Sequence, residues 1–210
     1  MISVKFNSFN EFISSILPKP TKKYYTNTQL LLEFTIDSNK EDFLGEYIRY
    51  LTQKDIYTFL ITQEGNSSFY LKDFSDFHVI CVELTVQESA VTNYEFKKFG
   101  QIPFNVSKIL FSINSVLNEL GREKTVLIIF DSLTDIILWL DFNTAYKFMR
   151  KAVSYLRSSY NVSSLFLINL KSHSEQILSA FESLFDGVLI SDDINECRVK
   201  GTIKHRYLPH

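Results

Sequence analysis

Two acids stand where strands are expected to end. Asp131 follows the unbroken apolar run Val126-Leu-Ile-Ile-Phe130, and Glu64 follows Tyr57-Thr-Phe-Leu-Ile-Thr-Gln63. In an open α/β sheet the ligand crevice lies outside the carboxyl ends of the strands. A carboxylate placed there can act on a ligand, cap a neighbouring helix or simply meet solvent. A lysine, Lys40, lies in the stretch Phe34-Thr-Ile-Asp-Ser-Asn39-Lys40-Glu41, between a predicted strand and a predicted helix. Phosphates are held in such places by backbone N–H groups at a helix N-terminus. None of the six glycines that would let the backbone curl around a phosphate falls in this stretch.

Positive charge concentrates near the end of the chain in Arg198, Lys200, Lys204, His205 and Arg206, with Lys19, Lys22 and Lys23 near the start. Such clusters bind phosphates in a salt-sensitive, sequence-blind way, or else form a solvated basic hairpin. Other chemistries lack their residues. There is no G-x-S-x-G for a nucleophilic serine and no G-x-G-x-x-G for a dinucleotide. His78, His173, His205 and His210 show no metal-ligand spacing with one another or with cysteine, so no metal is expected. Ser172-His173-Ser174 reads as a helix cap before it reads as a phosphate contact.

Strand-like and helix-like segments alternate, which predicts a largely parallel sheet covered on both faces. Strands are predicted over residues 30–35, 56–62, 78–84, 125–130 and 164–169. The run ending at Phe130 has no polar alternation, so both of its faces must be buried, as in a central parallel strand. Val106, Ile109, Leu110, Ile113, Val116, Leu117 and Leu120 share one helical stripe, with Gly121 as its stop. Phe43, Leu44, Tyr47, Ile48 and Leu51 form a second stripe. Tyr146, Met149, Ala152, Val153 and Leu156 form a third, with Asn143 as its expected cap. Ile177, Leu178, Phe181, Leu184 and Phe185 form a fourth. Ser8-Phe-Asn-Glu11 is a capping-box pattern, predicting a short helix that ends before Pro18. The tail reads as strands 187–190 and 197–203 joined by an acidic turn, Asp192-Asp193.

The whole chain sets broader bounds. Its 210 residues, 45% hydrophobic and 22% charged, suit one domain with a sizeable core. The expected division is a short helix and linker over 1–23 and a core over 24–210. A formal net charge of -2 offers no global attraction to nucleic acid or anionic membrane. No run approaches the ~18 apolar residues of a membrane helix, and the first residues lack a signal-peptide pattern. Cys81 and Cys197 form no disulfide framework. A cytoplasmic location without membrane contact is therefore expected.

Taken together, four strings resemble the RecA/RadA/KaiC ATPase core, in that family's order. Val126-Leu-Ile-Ile-Phe-Asp131-Ser-Leu is similar to its Walker B strand, and the strand ending in Gln63-Glu64 to the strand that carries its catalytic acid. Phe181-Glu-Ser-Leu-Phe-Asp186-Gly187-Val-Leu-Ile190 is similar to a segment that often reads "ADGVI". Cys197-Arg-Val-Lys-Gly-Thr-Ile-Lys-His-Arg206 is similar to its terminal hairpin. The resemblance runs from about residue 29 to 206. It implies a three-layer RecA-like fold: a mostly parallel central sheet, helices on both faces and a C-terminal hairpin. By the same resemblance, Asp131 is the station that helps hold Mg²⁺ and Glu64 the station that polarises water.

The phosphate loop departs from the family's G-x-x-x-x-G-K-[ST]. With Lys40 on the motif lysine, Phe34 and Asn39 occupy the glycine stations and Glu41 the hydroxyl station. Glu41, with Asp37 and Asp42 nearby, sets like charge against a phosphate. The expectation is a pseudo-ATPase: no catalytic residue, with Glu64 and Asp131 as remnants, no nucleotide site and no cofactor. It would work through protein contacts, with a related ATPase or with itself. The stretch Ile136-Ile-Leu-Trp139-Leu-Asp-Phe142 offers Trp139 and Phe142 as interface residues or as ordinary packing. The alternatives are a DNA-binding accessory of the RadA-paralogue kind, using Arg198, Lys200, Lys204 and Arg206, and then a weak ATP-binding protein.

Overall fold

Val126, Ile128 and Phe130 bury into one apolar cluster, while Leu127 and Ile129, which point the other way, bury into a second. This two-sided burial follows from the period of two along a strand, and it makes the 126–131 segment a central strand. The computed structural model describes residues 24–35, 40–71, 78–86, 99–193, 196–204 and 206–209.

An eight-stranded sheet organises these residues. In chain order its strands are β2 (Gln29–Phe34), β3 (Tyr57–Gln63), β4 (Val79–Thr85), β5 (Phe99–Pro103), β6 (Val126–Asp131), β7 (Val162–Asn169), β8 (Gly187–Asp193) and β9 (Glu196–Lys200). Their spatial order is β5-β4-β3-β6-β7-β2-β8-β9. Every pairing is parallel except β8 with β9. A separate antiparallel ribbon pairs β1 (Tyr24–Asn27) with β10 (Arg206–Pro209).

The helices are α1 (Lys40–Gln53), α2 (Ser67–Leu71), α3 (Val106–Leu120), α4 (Leu133–Trp139), α5 (Phe142–Ser158) and α6 (Glu175–Glu182). Phe43, Leu44, Tyr47, Ile48 and Leu51 of α1 bury on one face of the sheet, with Tyr70 of α2. Burial of that stripe contributes about 1.5–3 kcal/mol per large side chain. Helices α3 to α6 bury on the opposite face. The α/β three-layer arrangement with a C-terminal hairpin is therefore present.

Five predicted strands appear with ends moved by one or two residues. Several local expectations change. Helix α5 is capped by Asp141, whose carboxylate accepts from Thr144 N–H at 3.1 Å, and Asn143 lies inside the helix. Asp192 and Asp193 belong to β8 rather than to a turn, because pairing with β9 continues to Asp193. Helix α6 ends at Glu182; Leu184 and Phe185 still bury in its cluster from the following turn. Strand β5, helix α2 and the β1–β10 ribbon carry no strong periodicity and were not anticipated. The expected helix and linker over 1–23, with Lys19, Lys22 and Lys23, and Asp37, Asn39, His205 and His210 lie outside the described residues.

The "ADGVI"-like segment has a structural explanation. Asp186 is buried at the amino end of the strands, where its Oδ2 accepts from Gln29 N–H at 3.0 Å. Its Oδ1 accepts from Arg157 Nη2 at 2.8 Å. Its backbone N–H donates to Gln29 O, and its carbonyl accepts from Lys204 N–H, both at 2.8 Å. One aspartate thus ties β2, α5 and the C-terminal segment together. Cys81 is fully buried, and burial followed by the Glu83 charge pushes its thiol up to about 12.

Candidate functional site

Parallel pairing sets the site at the carboxyl edge of the sheet. Thr62 of β3 is the register partner of Asp131 of β6, so Glu64, two residues on, leaves from the same edge. Helix α1 begins at Lys40, just after β2 and the residues that follow it, and β2 is separated from β6 by β7 alone. The lysine therefore starts near the end of the strand that carries Asp131.

Lys40 Nζ donates to Asp131 Oδ1 at 2.8 Å. Asp131 is 1% exposed, and its Oδ2 accepts from the Tyr70 hydroxyl at 2.6 Å, with Thr62 Oγ1 at 3.5 Å. Burial first, and then the Asp131 charge and hydrogen bond, push the Tyr70 phenol far above the ordinary tyrosine range. Tyr70 is thus a committed donor. Around the ammonium, Glu41 Oε1 lies at 3.8 Å and the Phe34 ring centroid at 5.2 Å. The cation faces two carboxylates and an aromatic ring, all from its own chain.

Local sequence explains each wall. Phe34 ends β2 on the side that carries Leu30 and Leu32, so its ring belongs to the cluster beneath α1. At the assumed glycine station there is a core side chain. Glu41 and Asp42 occupy the first turn of α1. There they complement the positive end of the helix dipole, the place an anionic ligand would take.

Glu64 is exposed in the turn after β3, and its N–H donates to Leu84 O at 3.1 Å. The buried acid of this corner is instead Glu83 in β4. Its Oε1 accepts from Gly65 N–H at 3.0 Å and Ser67 N–H at 3.2 Å, and its Oε2 from Gln101 Nε2 at 3.1 Å. Burial alone would raise its carboxyl, but the hydrogen bonds from Ser67, Gln101 and Gly65 outweigh it and hold the group below its usual range. Glu83 pins the β3–α2 turn. The sequence signal for it was one acid inside an apolar strand.

The remaining candidates are largely occupied. Trp139 packs edge-on against Phe104 at 4.5 Å, and Phe142 packs on Tyr146 and Phe181 at 5.9 Å each. Such ring pairs add about 0.5–1.5 kcal/mol beyond burial. The exposed apolar residue of α4 is Leu138. Lys200 Nζ donates to Glu182 Oε1 at 2.8 Å and lies 3.6 Å from Glu33 Oε2, so its charge is spent inside the domain. Arg198 is half-buried and has a partner of its own, Lys204 is exposed, and Arg206 opens β10. His173 Nε2 lies 3.2 Å from Thr134 Oγ1, and burial holds its imidazole below the usual range. Ser174 caps α6. Among the described residues no cluster of His, Cys, Asp and Glu could hold a metal, and no helix is long and apolar enough to cross a membrane.

No family model matches the chain, and no curated protein matches it in sequence. Solved structures do. A protein of Pyrococcus horikoshii superposes with a TM-score of 0.57 at 16% identity, covering 84% of this chain and 87% of the other. A KaiC-like protein of the same archaeon superposes with a TM-score of 0.53 at 16% identity, covering 87% and 89%. The flagellar accessory protein FlaH of Methanocaldococcus jannaschii aligns over 79% and 71% with a TM-score of 0.48 at 11% identity.

Proposed function

We propose that this chain, built on a RecA/KaiC-like fold, is a pseudo-ATPase that works through protein contacts in the cytoplasm, on a related ATPase or on a second copy of itself. The observation that carries the reading is the closed set Lys40–Asp131–Tyr70. A triphosphate needs the lysine for its own charge and the aspartate for its metal. Here each neutralises the other, and the tyrosine holds the remaining carboxylate oxygen. Moving Lys40 onto a phosphate would strand a buried carboxylate. At the next position Glu41, an acid where the motif has a hydroxyl, sets negative charge against a phosphate.

The same edge supports contact with protein. Phe69, Val86 and Leu138 are 66%, 73% and 70% exposed. They follow the carboxyl ends of β3, β4 and β6, which are neighbours in the sheet. Exposed apolar side chains that follow three neighbouring strand ends suit a protein partner better than a phosphate.

Thermal unfolding with millimolar ATP and Mg²⁺ tests the first half. A ligand at 100 times its Kd adds about 2.7 kcal/mol, or a midpoint rise of about 5–10 °C for a domain of this size. No rise is expected, and a clear one would overturn the reading. Affinity purification with identification of co-purifying chains tests the second half. The expected partner is a RecA-like ATPase or the protein itself.

A further inference from the structure

Helix α5 has four cations, Lys147, Arg150, Lys151 and Arg157, and no acid within its span. Its inner stripe, Ala145, Phe148, Met149, Ala152, Val153 and Leu156, is buried against the sheet, which fixes the orientation of the outer face. Arg157 is consumed internally by Asp186 and Leu184 O. Lys147, Arg150 and Lys151 are exposed, and among the described residues no carboxylate pairs with any of them. In a chain of net charge -2 this is a local concentration rather than an average property.

The cations are part of a longer surface. Lys147, Arg150, Lys151, Ser154, Tyr155 and Ser158 line one open depression. Tyr155 and Ser158 also line a second, which continues to Asn118, Arg122, Ser159 and Tyr160 in the valley between α3 and α5. The Arg122 guanidinium lies over the Tyr160 ring at 4.8 Å, and the Tyr155 hydroxyl donates to Asn114 Oδ1 at 2.7 Å. From Lys147 to Ser158 the helix rises about 16 Å, room for a short run of backbone phosphates. Glu119 and Glu123 flank Arg122 at the far end, so the positive potential is strongest along α5.

We propose that this valley binds the backbone of single-stranded nucleic acid. Lys147, Arg150 and Lys151, with the Ser154 hydroxyl, contact phosphates, and the Arg122–Tyr160 pair offers a surface on which a base stacks. A cationic track beside aromatic rings is the general means of holding single strands without reading sequence. A duplex is disfavoured, because a helix that enters a major groove must protrude, whereas α5 is bedded beside α3. An acidic peptide would use the cations but has no need of the ring pair. The surface lies on the opposite face of the sheet from α1, and the inference does not depend on the pseudo-ATPase reading.

Fluorescence anisotropy of a labelled 20-nucleotide oligo(dT) with the full chain tests it, at two salt concentrations. Binding that weakens with salt is expected. The triple variant Lys147→Glu, Arg150→Glu, Lys151→Glu should bind at least tenfold more weakly, with a log–log salt slope shallower by about 2. These side chains are exposed, and an unchanged circular dichroism spectrum and thermal midpoint would show that the variant folds. Tyr160→Ala should weaken binding several-fold without changing the salt slope. Absence of salt-sensitive binding, or full binding by the triple variant, would overturn the proposal. Equal competition by polyglutamate with no effect of Tyr160→Ala would overturn it in favour of an acidic protein.

Discussion

The Tyr70 hydroxyl donates to Asp131 Oδ2 at 2.6 Å while Lys40 Nζ donates to Oδ1 at 2.8 Å, so both oxygens of one buried carboxylate are held from two separate helices. This arrangement fastens α1 and α2 to the end of β6. It gives Lys40 a stabilising role that a phosphate-binding lysine lacks. Lys40→Met should cost about 3 kcal/mol, the low end for breaking a buried pair, since Lys40 is 20% exposed. Adding Asp131→Asn should recover a large part of that loss, because the stranded charge is gone. Urea unfolding of both variants measures this, and strictly additive losses would contradict the pairing.

Repairing the loop by sequence alone should fail. Glu41→Thr restores the hydroxyl station but leaves Lys40 on Asp131, so no ATP-dependent midpoint shift is expected. Phe34→Gly, the matching repair at the first glycine station, removes a core ring that is 5% exposed. It should destabilise the fold by about 3–5 kcal/mol. A stable Phe34→Gly variant that binds ATP would refute this account of the loop.

Stability should also report on Glu33. This residue of β2 is fully buried, and burial, then the neighbouring Glu182 carboxylate, raise its carboxyl from 4.5 to about 7 against the opposing pull of Lys200. The protonated form is favoured in the folded state. Its contribution is therefore complete below about 4.5 and is lost as pH rises through about 7. Glu33→Gln should flatten the pH dependence of the unfolding free energy across that window. Parallel curves for the two proteins would rule this out.

Gly187 is required by close approach. A Cβ there would meet Ile203 Cγ1 at 2.8 Å and Ile203 Cα at 3.3 Å. Gly187→Ala should cost about 1–3 kcal/mol by overpacking. Displacing Ile203 should also loosen the bond from Lys204 N–H to Asp186 O, which amide hydrogen exchange at Lys204 would register as lost protection.

The amino-acid order by itself determined the layers and the polarity of the sheet. Val126 to Phe130 are apolar without alternation, so that strand had to be covered on both sides, and the helical stripes of α1, α3 and α5 had to supply the cover. Asp131 then fell at the carboxyl edge, because it is the first polar residue after the run. Pairings between distant residues were decided by tertiary structure alone. Lys40 and Asp131 are 91 positions apart, and Tyr70 and Asp131 are 61 apart. No local pattern states that a lysine meets an aspartate across an intervening strand. For the same reason Phe34 fell on a glycine station of the resemblance but packs as core, and Lys200 read as free charge but pairs with Glu182 beside Glu33. The basic face of α5 was written in the sequence, yet only the burial of its opposite stripe shows that Lys147, Arg150 and Lys151 point outward together. Periodicity specifies which side of an element is buried; which charges then meet depends on the register and order of strands far apart in the chain.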